Sequence, residues 1–87
     1  MKNKVLVKLY VPELDFETDL FLPVNEVLWK IKILIIKAIS DMTGGALDKD
    51  KKYLLVNKET GNIYQSNSIL IDTDIRNATE IIIISSK

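Results

Sequence analysis

Phe16-Glu17-Thr18-Asp19-Leu20-Phe21-Leu22-Pro23-Val24-Asn25-Glu26-Val27-Leu28-Trp29-Lys30-Ile31 changes its hydrophobic period at the proline, and that change decides the fold. Before Pro23 the pattern has a period of two: Phe16, Thr18, Leu20 and Leu22 fall on one side, and Glu17, Asp19 and Phe21 on the other. This is a strand with one face turned to a core. After Pro23 the apolar residues Val24, Val27, Leu28, Ile31, Leu34, Ile35, Ala38, Ile39 and Met42 recur in steps of three and four. Those steps place them on one face of a helix. Asn25 is the expected N-cap, and Glu26 suits the positive end of the helix dipole. Gly44-Gly45 ends the helix, because glycine enters the left-handed cap conformation without a Cβ clash. The expected helix spans residues 25–43.

Upstream, Val5, Val7, Leu9 and Val11 alternate with Leu6, Lys8 and Tyr10 until Pro12 stops the strand. Only Glu13-Leu14-Asp15 separates it from Phe16, so the two strands form an antiparallel hairpin. Downstream, Leu47-Asp48-Lys49-Asp50-Lys51-Lys52 is a solvated connection of mixed charge. Tyr53-Leu54-Leu55-Val56 is a third strand, and Asn57-Lys58-Glu59-Thr60-Gly61-Asn62 carries turn chemistry. Ile63-Tyr64-Gln65 returns as a short fourth strand, and residues 66–77 form an irregular arm with one helical turn. Ile81-Ile82-Ile83-Ile84 suits a strand covered on both sides, with Glu80 and Ser85-Ser86-Lys87 as gatekeepers against aggregation.

The order is hairpin, helix, hairpin, arm, strand. An amphipathic helix that follows a hairpin needs a sheet to bury its stripe. The last strand is best protected in the middle of that sheet, beside the first. This α+β arrangement resembles the β-grasp, or ubiquitin-like, fold: a mixed four- or five-stranded sheet packed on one long helix. No repeat, linker or low-complexity stretch interrupts the 87 residues, so one ubiquitin-like domain is expected over residues 1–87.

Composition removes several kinds of chemistry. The chain has no His and no Cys, which excludes a thiol nucleophile, a thiol redox motif, a His-activated serine and zinc held by N and S ligands. Twelve basic residues balance twelve acidic ones, so no polyanionic nucleic-acid partner is expected. Asp72 and Asp74 lack the spacing of a calcium loop and read as an exposed loop. Gly44-Gly45 lacks the lysine and glycine spacing of a phosphate loop, and Asn77-Ala78-Thr79 is a glycosylation sequon without meaning in a cytosolic chain. No catalytic, cofactor-binding or metal-binding residue is expected. Neither a membrane span nor a secretory signal is legible: Lys8 interrupts the first apolar stretch, after Met1-Lys2-Asn3-Lys4. A cytoplasmic protein without direct membrane insertion follows.

Hydrophobic residues make up 47% of the chain, more than one helix on one sheet is expected to bury. Two surplus surfaces stand out. Trp29, Ile33 and Ile36 project off the core stripe as one patch flanked by Lys30, Lys37 and Ser40. Either the following loop or the long arm folds over this patch, or it meets a partner, as a homo-oligomer or with another subunit. The sheet face away from the helix carries Leu6, Lys8, Tyr10, Phe21, Leu54, Val56, Ile82 and Ile84. Its alternatives are a binding surface or a face thinned by Lys and Glu neighbours.

Three segments carry a closer resemblance. They are Leu20-Phe21-Leu22-Pro23-Val24-Asn25-Glu26-Val27, Tyr53-Leu54-Leu55-Val56-Asn57-Lys58, and Leu70 to Ile75 ahead of a closing strand without diglycine. In these the chain resembles the small YukD/EsaB-type ubiquitin-like proteins of Gram-positive type VII secretion systems. It departs from them at Asn77-Ala78-Thr79, where an Asp-Gly-type turn is usual, and in its long helix-to-strand connection. The resemblance implies a non-conjugated accessory protein needed for secretion of small helical WXG-type substrates. A membrane subunit of the machine is then its implied partner, which places it at the periphery of a membrane complex. Ubiquitin and the sulfur carriers of this fold act through a terminal diglycine. Ile84-Ser85-Ser86-Lys87 offers none, so neither conjugation nor sulfur transfer is expected. The alternative is a small non-catalytic subunit of a multicomponent bacterial enzyme of the oxygenase type.

Overall fold

A computed structural model describes residues 3–48 and 50–86. Met1, Lys2, Lys49 and Lys87, which the readings of the two ends and of the charged loop touched, lie outside the described residues. Strands β1 (Lys4–Val11) and β2 (Phe16–Pro23) precede helix α1 (Leu28–Met42). Strands β3 (Lys52–Asn57) and β4 (Glu80–Ser86) follow it. The sheet order is β2-β1-β4-β3.

β1 and β2 pair antiparallel from Lys4↔Pro23 to Val11↔Phe16. The link between them is a 3-10 turn, Pro12–Leu14, closed by Asp15 at φ 47°. β4 lies between β1 and β3, parallel to β1 and antiparallel to β3. The isoleucine run therefore occupies the centre, as expected from its need for cover. Ile81 and Ile83 point into the core and are completely buried, whereas Ile82 is half-buried and Ile84 partly exposed on the other face. β4 pairs with β3 from Ile81 to Ser86 but with β1 only from Glu80 to Ile82, and the helix covers only one of its faces. This mixed sheet with one helix is the β-grasp arrangement.

Period two sorts the other strands in the same way. Val7, Leu9, Val11, Leu22, Tyr53 and Leu55 meet Leu28, Ile31, Ile35 and Ile39 of α1 in one core. The helix differs from its sequence reading at two points on its stripe. Leu34 is 40% exposed and Met42 is also exposed. Leu34 lies roughly 100° around the helix from the centre of the buried stripe, beyond the width of one sheet contact, and Met42 is the last helical residue.

Asn25 does not cap the helix; Val27 takes the N-cap position and makes no side-chain cap bond. The arm supplies the acceptors. Leu28 N–H donates to Ser68 O at 2.8 Å and Trp29 N–H to Ser66 O at 2.9 Å. Leu70 N–H to Glu26 O and Ile71 N–H to Val24 O continue this seam, around a bridge between Val27 and Ile69. Backbone carbonyls from a segment some forty residues away thus satisfy donors that would otherwise need a capping side chain. At the other end Gly44 and Gly45 adopt φ of 69° and 83°, and Gly45 N–H reaches Ser40 O at 2.7 Å, the expected glycine stop.

The expected fourth strand at Ile63-Tyr64-Gln65 reduces to a bridge between Val56 and Ile63. Tyr64 turns inward instead. Its hydroxyl donates to Asp74 Oδ1 at 2.6 Å and accepts from Asn57 Nδ2 at 2.9 Å. The arm does contain a single helical turn, Leu70–Asp72, which buries Leu70. Before β4, Ala78 has φ 72° and its N–H donates to Leu6 O, while Asn77 Oδ1 accepts from Leu6 N–H. Ala78, which stands where the resembled proteins usually carry an Asp-Gly-type turn, thus adopts left-handed backbone, and alanine carries the steric cost.

Candidate protein-binding surfaces

The Trp29 patch is open but less uniform than helical spacing implies. Trp29 is 48% exposed and Ile33 is 62% exposed. Ile36, by contrast, is half-buried and packs against the core. The arm accepts from the backbone N–H of Trp29, whose side chain stays about half exposed, with the Lys30 ammonium 5.5 Å from the ring centroid. A cation at that distance from an exposed indole contributes about 0.5–1 kcal/mol, and Lys30 also pairs with Glu26 at 3.8 Å.

Ile33 and Ile36 border a groove of about 600 Å³ between α1 and the start of β3. From the helix it is lined by Lys32, Ile33, Ile36, Lys37, Ser40 and Asp41. Lys51, Lys52, Tyr53 and Leu54 line it from the strand side, with Ser86 of β4. Trp29 and the groove share one flank of the helix, but Trp29 is not part of its lining. Tyr53 is buried at the groove base, its hydroxyl donating to Asp48 O at 3.1 Å and accepting from Asp48 N–H at 3.2 Å. Burial, then the charge of Glu13, pushes the Tyr53 phenol above its ordinary value, so it stays neutral. Ser40 is buried too, and among the described residues its hydroxyl has no hydrogen-bond partner.

The open sheet face brings together the second set of sequence candidates. Phe21 is 49% exposed, and Leu6, Tyr10, Leu54, Val56 and Ile82 are each half-buried by their neighbours. Lys8 stands exposed among them, and Tyr10 Oη approaches Asp15 Oδ1 at 3.4 Å. A shallow hollow at one end is lined by Leu6, Lys8, Asp19, Phe21, Asn77 and Ala78. Sequence reasoning missed five exposed apolar residues: Leu34 and Met42, which it assigned to the core stripe, Ile63 of the expected fourth strand, and Ile69 and Ile71 on the arm. Arm residues follow neither period, so no sequence pattern distinguishes Ile69 and Ile71 from buried Leu70. Among the described residues no group of three acidic, His or Cys side chains is placed to hold a metal ion. No described helix is long and apolar enough to cross a membrane.

No protein-family model matches the chain, and no curated protein matches it by sequence. Solved structures do. The EccD5 ubiquitin-like domain from Mycobacterium xenopi superposes with a TM-score of 0.78 at 12% identity, covering 97% of this chain and 96% of that one. A chain of the MycP5-free ESX-5 inner membrane complex gives 0.77 at 14% identity over 97% of this chain. This chain spans only 21% of the length of that one. A component of the toluene 4-monooxygenase HD complex gives 0.73 at 4% identity, covering 95% of this chain and 99% of that one. At such identities the likeness is one of fold, and the protein has the ubiquitin-like β-grasp fold.

Proposed function

We propose that the protein is a non-conjugated ubiquitin-like adaptor of a bacterial type VII secretion system, acting by protein–protein binding. The observation that carries this reading is the full-length superposition on the EccD5 ubiquitin-like domain, together with the Leu20–Val27 and Tyr53–Lys58 segments of YukD/EsaB character. The absence of His and Cys from the sequence fits an adaptor rather than an enzyme. In this reading residues 1–87 act as one cytoplasmic domain that docks at the periphery of a membrane complex. Trp29, Ile33 and Ile36 on the helix and Leu6, Tyr10, Phe21, Leu54 and Val56 on the sheet are the contact residues, toward a membrane subunit of the machine or a second copy of the chain.

A monooxygenase subunit is the second reading, favoured by the superposition on the toluene 4-monooxygenase component. Cross-linking in the native host followed by affinity capture and mass spectrometry separates the two. Recovery of a type VII membrane subunit supports the adaptor, and recovery of oxygenase components replaces it. Leu6→Asp combined with Val56→Asp removes capture if the sheet face binds, while Trp29→Glu removes it if the helix face does. Circular dichroism verifies that each variant is folded.

A further inference from the structure

The open flank of α1 carries an apolar stripe that the core does not use. Trp29, Ile33 and Ile36 follow one another at intervals of four and three residues. At about 100° per residue, Ile33 and Ile36 both fall within roughly 40° of Trp29 around the helix. A 4-3 spacing is that of a seam between two packed helices. It runs about 10 Å along α1, or two turns. Trp29 and Ile33 are exposed, and Ile36 is half-buried. Ser40, the next position in the series, is buried, so the open stripe stops there.

Lysines bracket the stripe on both sides. Lys32 lies roughly 60° from Trp29 toward the sheet, and Lys37 roughly 80° the other way, with Lys30 beside it. Lys51 and Lys52 add the same sign from across the groove, against the single acid Asp41. Lys30 is 3.8 Å from Glu26 and Lys51 is 3.9 Å from Glu13. Among the described residues Lys32, Lys37 and Lys52 have no carboxylate partner within bonding distance. Because the whole chain is neutral, this is a local concentration rather than a consequence of composition.

The backbone beside the stripe is already committed. Tyr53 is buried at the groove base, Leu55 O accepts from Tyr64 N–H, and Asn57 N–H donates to Asn62 O. An extended segment finds no ladder to join there, whereas a helix arrives with its backbone bonded within itself. A second copy of the chain is a poor occupant. Among the described residues α1 is the only helix longer than one turn, and its sole acid is Asp41. Packing α1 on α1 would set lysine flanks against lysine flanks, which like charges oppose. The geometry points to a docking site for an acidic amphipathic helix of a partner protein, seated along Trp29, Ile33 and Ile36. Its apolar side chains, spaced three and four apart, interleave with the stripe. Carboxylates on both flanks of its seam meet Lys32 on one side and Lys30 and Lys37 on the other. That bracket selects against neutral or basic helices. This deepens the adaptor reading at its helix face and rests on it, since it assigns the chemistry of the partner segment.

Trp29 is the one tryptophan of the chain, so its emission reports occupancy of the stripe. The test titrates the full chain with three blocked peptides of about fifteen residues that lack aromatic side chains. The first has leucines at 4-3 spacing flanked by glutamates in an alanine background. The second carries lysines in place of the glutamates, and the third reorders the first so that leucine and glutamate alternate. The first peptide is expected to shift Trp29 emission to the blue and to bind at least tenfold more tightly than either of the others, about 1.4 kcal/mol. Lys32→Glu combined with Lys37→Glu reverses the preference between the first two while thermal unfolding stays cooperative. Equal affinity for the glutamate and lysine helices overturns the proposal, as does tighter binding of the alternating peptide. Binding of the first peptide without a change in Trp29 emission places it elsewhere and also overturns it. A blue shift that grows with protein concentration and needs no peptide overturns it in favour of a second copy of this chain. Unselective peptides alongside native-host capture of a type VII membrane subunit discard the helix site and keep the adaptor. Selective binding of the first peptide with oxygenase components captured from the host discards the adaptor and leaves the helix site with a different owner.

Discussion

Ile33 and Ile35 are the same residue on the same helix, two positions apart, with opposite surroundings. Ile35 is completely buried against the sheet, and Ile33 is 62% exposed above the groove. Their side chains differ only in phase, by roughly 200° of rotation. One isoleucine holds the fold together and the other is available to a partner. Sequence hydrophobicity cannot separate these roles, but phase on the helix can. Phase works for Ile33 and Trp29 and fails at Leu34, because the sheet covers a narrower stripe than the sequence supplies.

Ile35→Ala gives the largest effect and tests the buried side of this contrast. A loss of about 2–5 kcal/mol in denaturant unfolding is expected, from lost transfer energy and the cavity left behind. An effect below 1 kcal/mol in the same measurement, against ~2 at minimum for a packed core, would show that α1 is not seated on the sheet as described.

Tyr64→Phe removes the hydroxyl that links Asn57 to Asp74 and is expected to cost about 1–3 kcal/mol, because the Asn57 amide is buried. It also has a pH signature. Burial, followed by the bond to Asp74, pushes the Tyr64 phenol up to about 12. An unfolded tyrosine ionises near 10, so between about pH 10 and 12 the unfolded state releases a proton that the folded state retains. Stability from this group is complete below pH 10 and falls as pH rises through that window. Tyr53, also raised, adds to the fall. Tyr64→Phe should flatten the alkaline loss without abolishing it; an unchanged slope would mean that the Tyr64 proton is not held by the fold.

Ser40 blurs the boundary between the two sides of the helix, since it lines the groove and yet is buried. Ser40→Ala removes an unpaired hydroxyl and improves helix propensity, so thermal unfolding should rise by the equivalent of about 0.5–1.5 kcal/mol. A loss of stability would reveal a partner for that hydroxyl. The smallest effects belong to the open flank. Trp29→Glu, which also loses the contact with Lys30, should cost about 1 kcal/mol and Ile33→Ser no more than about 0.5 kcal/mol, while both reduce partner capture. Loss of cooperative unfolding in either would move that residue into the core.

Much of the fold was legible because local periodicity and burial have the same cause. The period-two strands, the proline switch, the glycine stop and the isoleucine run each report a face that must leave water. What misled was local chemistry with a tertiary substitute. Asn25 has the side chain of a cap, but the carbonyls of Ser66 and Ser68 occupy the helix N-terminus instead. Tyr64 sits in a β-like run, but the segment pairs with β3 only around Ile63, and its hydroxyl ties it to Asn57 and Asp74. The candidate residues were found singly rather than as a site. Trp29 and Ile33 were read from the helix and Leu54 from the strand, while the lysines beside them looked like ordinary solvated charge.

The sequence by itself determined the class of the protein: which segments are strands, which face of the helix is buried, and which chemistry a chain without His or Cys cannot perform. Those properties follow from the order of residues along one segment at a time. Only the tertiary structure decided that Ile33 and Ile36 face the start of β3 across a groove, that Tyr53 is buried at its base, and that four lysines converge there. Lys32 and Lys37 come from the helix, and Lys51 and Lys52 from the start of the third strand. Their proximity depends on how α1 sits across the sheet, and no period within either segment encodes it.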